Sequence, residues 1–155
     1  MFTELEIARR MPLWCALAEL FLDTEMQTGN YEAVAQAARD SGFTAVEVRD
    51  ILENEMWPAF SFNLLDIAGE WAGFSDDYVR TRMEETLAGT NRWSIGDLGF
   101  RSRFMRQEWP AIEAALEGRA VCLPSAPERQ NPPHRLVLTV ICLGVLLLGL
   151  IMVLH

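Results

Sequence analysis

Lysine is missing from this chain altogether; all 13 of its lysine-plus-arginine positions are arginine. That removes the phosphate-gripping lysine of a P-loop, a Schiff-base nucleophile and a kinase-type phosphate clamp, and the 10 glycines show no phosphate-cradling spacing. Histidine is nearly as scarce. The two present, His134 and His155, both lie beyond residue 122, so the region ahead of them cannot assemble a Ser/His or Cys/His catalytic pair or a His-ligated metal site. Cys15, Cys122 and Cys142 share no metal-binding or redox spacing. They read as small apolar fillers in a reducing compartment, with Cys122 the candidate for a reactive thiol.

What the chain does have is a long apolar run. Residues 136–154 are 19 consecutive positions without a formal charge. At ~1.5 Å rise per residue such a helix spans about 28 Å, against ~30 Å for the hydrocarbon core of a bilayer. Thr139 is its strongly polar residue, and a threonine hydroxyl can bond to a backbone carbonyl one turn back. The expectation is one C-terminal transmembrane helix, a tail anchor. His134 and Arg135 abut its N-terminal side, and positive charge at that end places the preceding domain in the cytoplasm, at a bacterial inner membrane. The N-terminus agrees, because Glu4 and Glu6 precede its apolar stretch and no small-residue cleavage site follows. Residues 123–135 hold Pro124, Pro127, Pro132 and Pro133, four of the seven prolines. This segment reads as an extended linker or stalk of up to ~40 Å at ~3.1 Å per residue.

Residues 1–122 are then a single domain, and charge divides unevenly along the chain. Residues 1–90 hold 17 Asp and Glu against 6 Arg, or −11, whereas residues 91–135 hold 5 against 7, or +2. An acidic surface repels phosphate backbones and anionic headgroups, so nucleic acid is excluded as a partner and a basic protein is favoured. The plainer reading is that the negative charge only keeps the domain soluble.

Periodicity predicts helices and no strand. Pro12 suits a first turn, followed by apolar Leu13, Trp14, Leu17, Leu20 and Phe21. Asn30 reads as the cap of a helix with Tyr31, Val34, Ala35 and Ala38 at i, i+3, i+4 and i+7, closed by Gly42. Thr44 and Glu47 have capping-box spacing for a helix with Val48, Ile51, Leu52 and Met56 inward, ended by Trp57-Pro58. A fourth helix runs from Asn63 to Gly73. Ser75 opens a fifth, with Val79, Met83 and Leu87 inward and Gly89 after its end. Ser94 and Asp97 could cap a helix through Phe104 and Met105, and Trp109-Pro110 begins a last one, stopped by Gly118. The fold class is all-α: a bundle of about six short helices, a proline-rich stalk and one transmembrane helix.

Carboxylates are the remaining route to acid–base or metal chemistry, and Asp23, Glu25 and Glu70 are the candidates. As a calcium loop, the segment from Asp23 fails: Gln27 and Thr28 stand where an EF-hand places a ligand and a glycine, and Val34 takes the twelfth position. No metal site and no cofactor are therefore assigned. Trp14, Trp71 and Trp109 fall on inward stripes or helix starts and read as core anchors. Trp57, Trp93 and Phe60 lie at breaks and, if exposed together, would be hot spots for a partner.

The stretch from Trp14 to Glu25, WCALAELFLDTE, together with NLLDIAGEWAGF from Asn63 to Phe74, resembles an uncharacterised family of small, acidic, helical bacterial proteins, over about residues 9–116. The resemblance implies no activity and carries over no catalytic residue. The apolar tail departs from the plain soluble form of that family. Two readings follow. The first is a membrane-tethered protein-interaction module, in one form an immunity-type protein masking a basic partner or toxin, through Asp23, Glu25, Asp66 and Glu70 beside Trp57 or Trp71. The alternative is a small carboxylate-dependent metal-binding protein or enzyme. A self-associating scaffold ranks third, since Gly144 and Gly149 miss the four-residue glycine spacing of close helix dimers.

Overall fold

Thr3 opens the first helix. Its hydroxyl accepts from the Glu6 N–H at 3.3 Å while the Glu6 carboxylate accepts from the Thr3 N–H at 2.8 Å, a reciprocal cap on α1 (Glu4–Ala18). In this computed structural model, which describes residues 2–22, 26–65, 73–89 and 99–124, Pro12 therefore lies inside α1 and does not start it. Proline deprives the Ala8 carbonyl of its helical donor. The helix persists because Ile7, Leu13, Trp14, Leu17 and Ala18 bury one continuous face on both sides of Pro12. A short 3₁₀ turn, Glu19–Phe21, follows and ends at extended Leu22.

The next helix, α2 (Thr28–Asp40), is capped by Gln27, three residues before Asn30; Asn30 supplies the returning contact, its Oδ1 accepting from the Gln27 N–H at 2.9 Å. Tyr31, Val34, Ala35 and Ala38 form its buried stripe as expected. Gly42 at φ +68° lets the chain turn back, so that the Phe43 N–H reaches the Ala38 carbonyl at 2.8 Å.

Thr44 and Glu47 make the anticipated capping box of α3 (Ala45–Ile51). Trp57-Pro58 does not end that run. A π-helical turn, Leu52–Met56, is closed by the Trp57 N–H on the Leu52 carbonyl, and α4 (Trp57–Phe60) continues from it before a 3₁₀ turn over Ser61–Leu65. The wider turn brings Pro58 into the first turn of α4, where a missing N–H costs little. Most of the helix expected between Asn63 and Gly73 lies outside the described residues.

Ser75 caps α5 (Asp76–Leu87), accepting from the Tyr78 N–H, with Asp76 and Asp77 at the positive end of the helix. Val79 and Met83 are buried, but Leu87, expected inward, is 39% exposed. Residues 100–116 form a single helix, α6 (Phe100–Leu116), that passes through Pro110; Trp109-Pro110 starts nothing. Ser94 and Asp97 lie outside the described residues, and α6 begins after Gly99 at φ +83°.

Every element among the described residues is helical, so the all-α class stands. Met1–Pro124 form one compact unit. Its core joins α1, α2, the α3–α4 run, α5 and α6. Phe21 stacks on Phe104 with ring centroids 4.9 Å apart, and Trp57 lies 5.4 Å from Phe104. Among the described residues no helix is long and apolar enough to cross a membrane; the run 136–154 and residues 125–135 of the stalk lie outside them.

Candidate functional site

Of the six residues singled out for partner contact, the described part of the chain contains only Trp57. Asp23, Glu25, Asp66, Glu70 and Trp71 lie outside it, as does Trp93. Trp57 is 4% exposed and Phe60 0%. The pair is therefore part of the core and not an exposed hot spot: Phe21 touches both rings, and Phe104 covers Trp57. The helical run continues past Trp57 and turns both rings inward, which a stop at Pro58 would not have done.

Two carboxylates are buried where the sequence reading placed none. Glu55, 8% exposed, sits in the π turn, accepting from the Trp14 indole N–H at 2.8 Å and from Arg10 Nε at 3.3 Å. This ties α1 to the run after α3 across the core. Glu108, 3% exposed, lies in α6 and accepts from the Tyr31 hydroxyl at 2.7 Å, tying α6 to α2. Helical spacing carried the signal for both. Glu55 is seven residues after Val48 on the apolar stripe of α3, and Glu108 lies four from both Phe104 and Ile112. A buried carboxylate needs donors of its own, and the indole and the phenol are the amphipathic side chains suited to supply them inside a core.

Cys15, half-buried on α1, donates its thiol hydrogen to Asp76 Oδ1 at 3.4 Å. Burial first, and then the hydrogen bond and charge of Asp76, push this thiol up to about 12, so it stays protonated and poorly nucleophilic at neutral pH. Cys122 is exposed. Among the described residues, no group of three His, Cys, Asp or Glu side chains is placed to hold a metal ion.

Among the described residues, two open grooves lie on the outer surface. One, of about 590 Å³, runs beside α2 and the end of α6 and mixes Glu32, Gln36, Arg39 and Arg119. The other, of about 460 Å³, lies between α3 with its π turn and the first half of α6. Trp109, expected as a core anchor, is half-buried in the wall of that second groove, with its indole N–H on Glu113 Oε1 at 3.2 Å.

No curated protein and no solved structure matches the chain. Residues 8–117 match a family described as Domain of unknown function (DUF7079), nearly the span over which the residues themselves suggested an uncharacterised family. The chain belongs to this family, and its described part is a helical domain whose buried carboxylates are engaged by its own core donors.

Proposed function

We propose that the domain is a protein-interaction module, tethered to the bacterial inner membrane through residues 136–154 and facing the cytoplasm. Its partner is a basic protein, in one form a toxin that it masks as an immunity-type protein. The observation that carries this reading is the engagement of the buried chemistry. Glu55 holds Trp14 and Arg10, Glu108 holds Tyr31, and Cys15 is held protonated against Asp76. Groups bound in this way brace the core and are poorly placed to exchange protons with a substrate. The exposed carboxylates, in a chain of formal net charge −9, are then the feature offered to other molecules. Asp23, Glu25, Asp66 and Glu70, with Trp71, remain the proposed contact residues. The carboxylate-dependent alternative would have to draw on those same side chains, and no described geometry favours it.

The test is a crosslinked pull-down from the native membrane using the full-length chain and a truncation after Pro124, followed by association kinetics with the captured protein. A basic partner held by both forms, with an association rate that falls steeply between low and physiological salt, supports the reading. No stoichiometric partner with either form would contradict it. A rate indifferent to salt would remove its electrostatic part.

A further inference from the structure

The groove between α3 and α6 reverses the sign of the chain as a whole. Arg49, Glu53, Arg101, Met105, Arg106 and Trp109 line it, so three arginines meet a single glutamate in a chain of net charge −9. Its volume of about 460 Å³ falls within the ~300–1,000 Å³ of ligand clefts. Glu53 is already engaged: it accepts from Arg49 Nε at 2.8 Å, and the Arg49 guanidinium also lies 5.4 Å from the centre of the Trp109 ring. Arg106 is exposed, and among the described residues its guanidinium has no hydrogen-bond or ion-pair partner.

Both walls are irregular at this place. The π turn Leu52–Met56 brings Glu53 to one wall, and such turns are frequent at functional sites. On the other wall Pro110, inside α6, has no N–H to give the Arg106 carbonyl. The Arg106 guanidinium and the apolar surface of Met105, Trp109 and Pro110 therefore adjoin.

We propose that this groove binds an acidic peptide segment of a protein partner, with a carboxylate on Arg106 and an apolar side chain against Met105 and Trp109. A guanidinium matches a carboxylate through two parallel hydrogen bonds, and the neighbouring indole lowers the local polarity in which they form. A small inorganic anion would leave the apolar wall unused. Nucleic acid or an anionic bilayer would bring dense phosphate charge against a strongly acidic domain. A symmetric second copy would set the arginine groove against itself. The inference is independent of the basic-partner reading, because its ligand has the opposite charge.

Fluorescence anisotropy of the full-length chain with a fluorescein-labelled peptide of glutamate, aspartate and leucine tests it. Saturable binding is expected, weakened about tenfold or more by Arg106→Glu. A peptide with lysine in place of the acidic residues should bind R106E better than the native chain. If R106E lowers the melting temperature, Arg106→Gln replaces it, with a smaller expected loss. The proposal is overturned by an absence of saturable binding, by unchanged affinity in the Arg106 variant, or by equal displacement with an oligonucleotide, inorganic phosphate or anionic vesicles. The last result would mean that charge alone is read.

Discussion

The core beside the π turn and the groove on its outer side use the same five residues in opposite ways. Glu55 turns inward and meets an indole and a guanidinium from α1, whereas Glu53 turns outward to Arg49, in a groove where arginines outnumber it. An α-helix would keep two residues of spacing i, i+2 on different faces in any case. The π turn adds a wider loop that keeps the run continuous to Trp57 and Phe60. Charge inside the domain is answered by the fold itself, whereas at the groove the Arg106 guanidinium has no partner among the described residues.

Breaking the core side should have the largest effect. Trp14→Ala would leave a cavity at a fully buried site and remove the indole donor of Glu55, costing about 3–5 kcal/mol in urea unfolding. A loss below about 1 kcal/mol would show that this tie is not central. Tyr31→Phe keeps the ring and takes one donor from Glu108, for an expected loss of about 1–3 kcal/mol. A neutral result would mean that Glu108 is satisfied by its other contacts.

The surface caps should give less. Thr44→Ala removes the α3 cap at about 1 kcal/mol, read as a lower urea midpoint with an unchanged slope. The Thr44 and Thr3 N–H groups first, and then their hydroxyls, hold the Glu47 and Glu6 carboxyls below their ordinary 4.5. A depressed carboxylate stabilises the fold above its unfolded value and loses that contribution as pH falls through the folded one. Thermal stability should therefore drop between about pH 5 and 3, and less so in a Glu47→Gln, Glu6→Gln double variant whose stability at neutral pH is already lower. An identical acid limb in that variant would contradict the capping account.

Arg106→Glu should change stability least, within about 0.5 kcal/mol, because it is an exposed residue whose guanidinium has no partner among the described residues. Thiol labelling sharpens the same contrast without a mutation. Cys122 should react with a disulfide reagent in the folded protein well before Cys15, and equal rates would mean that the Asp76 contact does not protect Cys15.

The sequence made the stripes of α2 and α3 legible, together with the Thr44 box, the Ser75 cap and the turns at Gly42 and Gly118, because each is decided within a few residues. Prolines misled. Pro12 and Pro110 each look like a helix start, yet both lie inside helices whose buried faces continue across them. The start of α1 was hidden because Leu5 is exposed and only Ile7 buries in that first turn, too little for a periodic pattern. Glu55 and Glu108 occupy apolar-stripe positions, but their donors, Trp14 and Tyr31, come from distant segments that periodicity does not bring together. The groove was invisible for the same reason: Arg49 and Arg106 meet only through the packing of α3 on α6.

The most direct test of this division is the affinity of the acidic peptide for two full-length variants, Glu108→Gln and Arg106→Glu, at a temperature where both are folded. The account predicts native affinity in E108Q despite its lower stability, and about tenfold or weaker binding in R106E at native stability. Native affinity in R106E, with binding lost in E108Q, would contradict it and make the buried carboxylate the functional group.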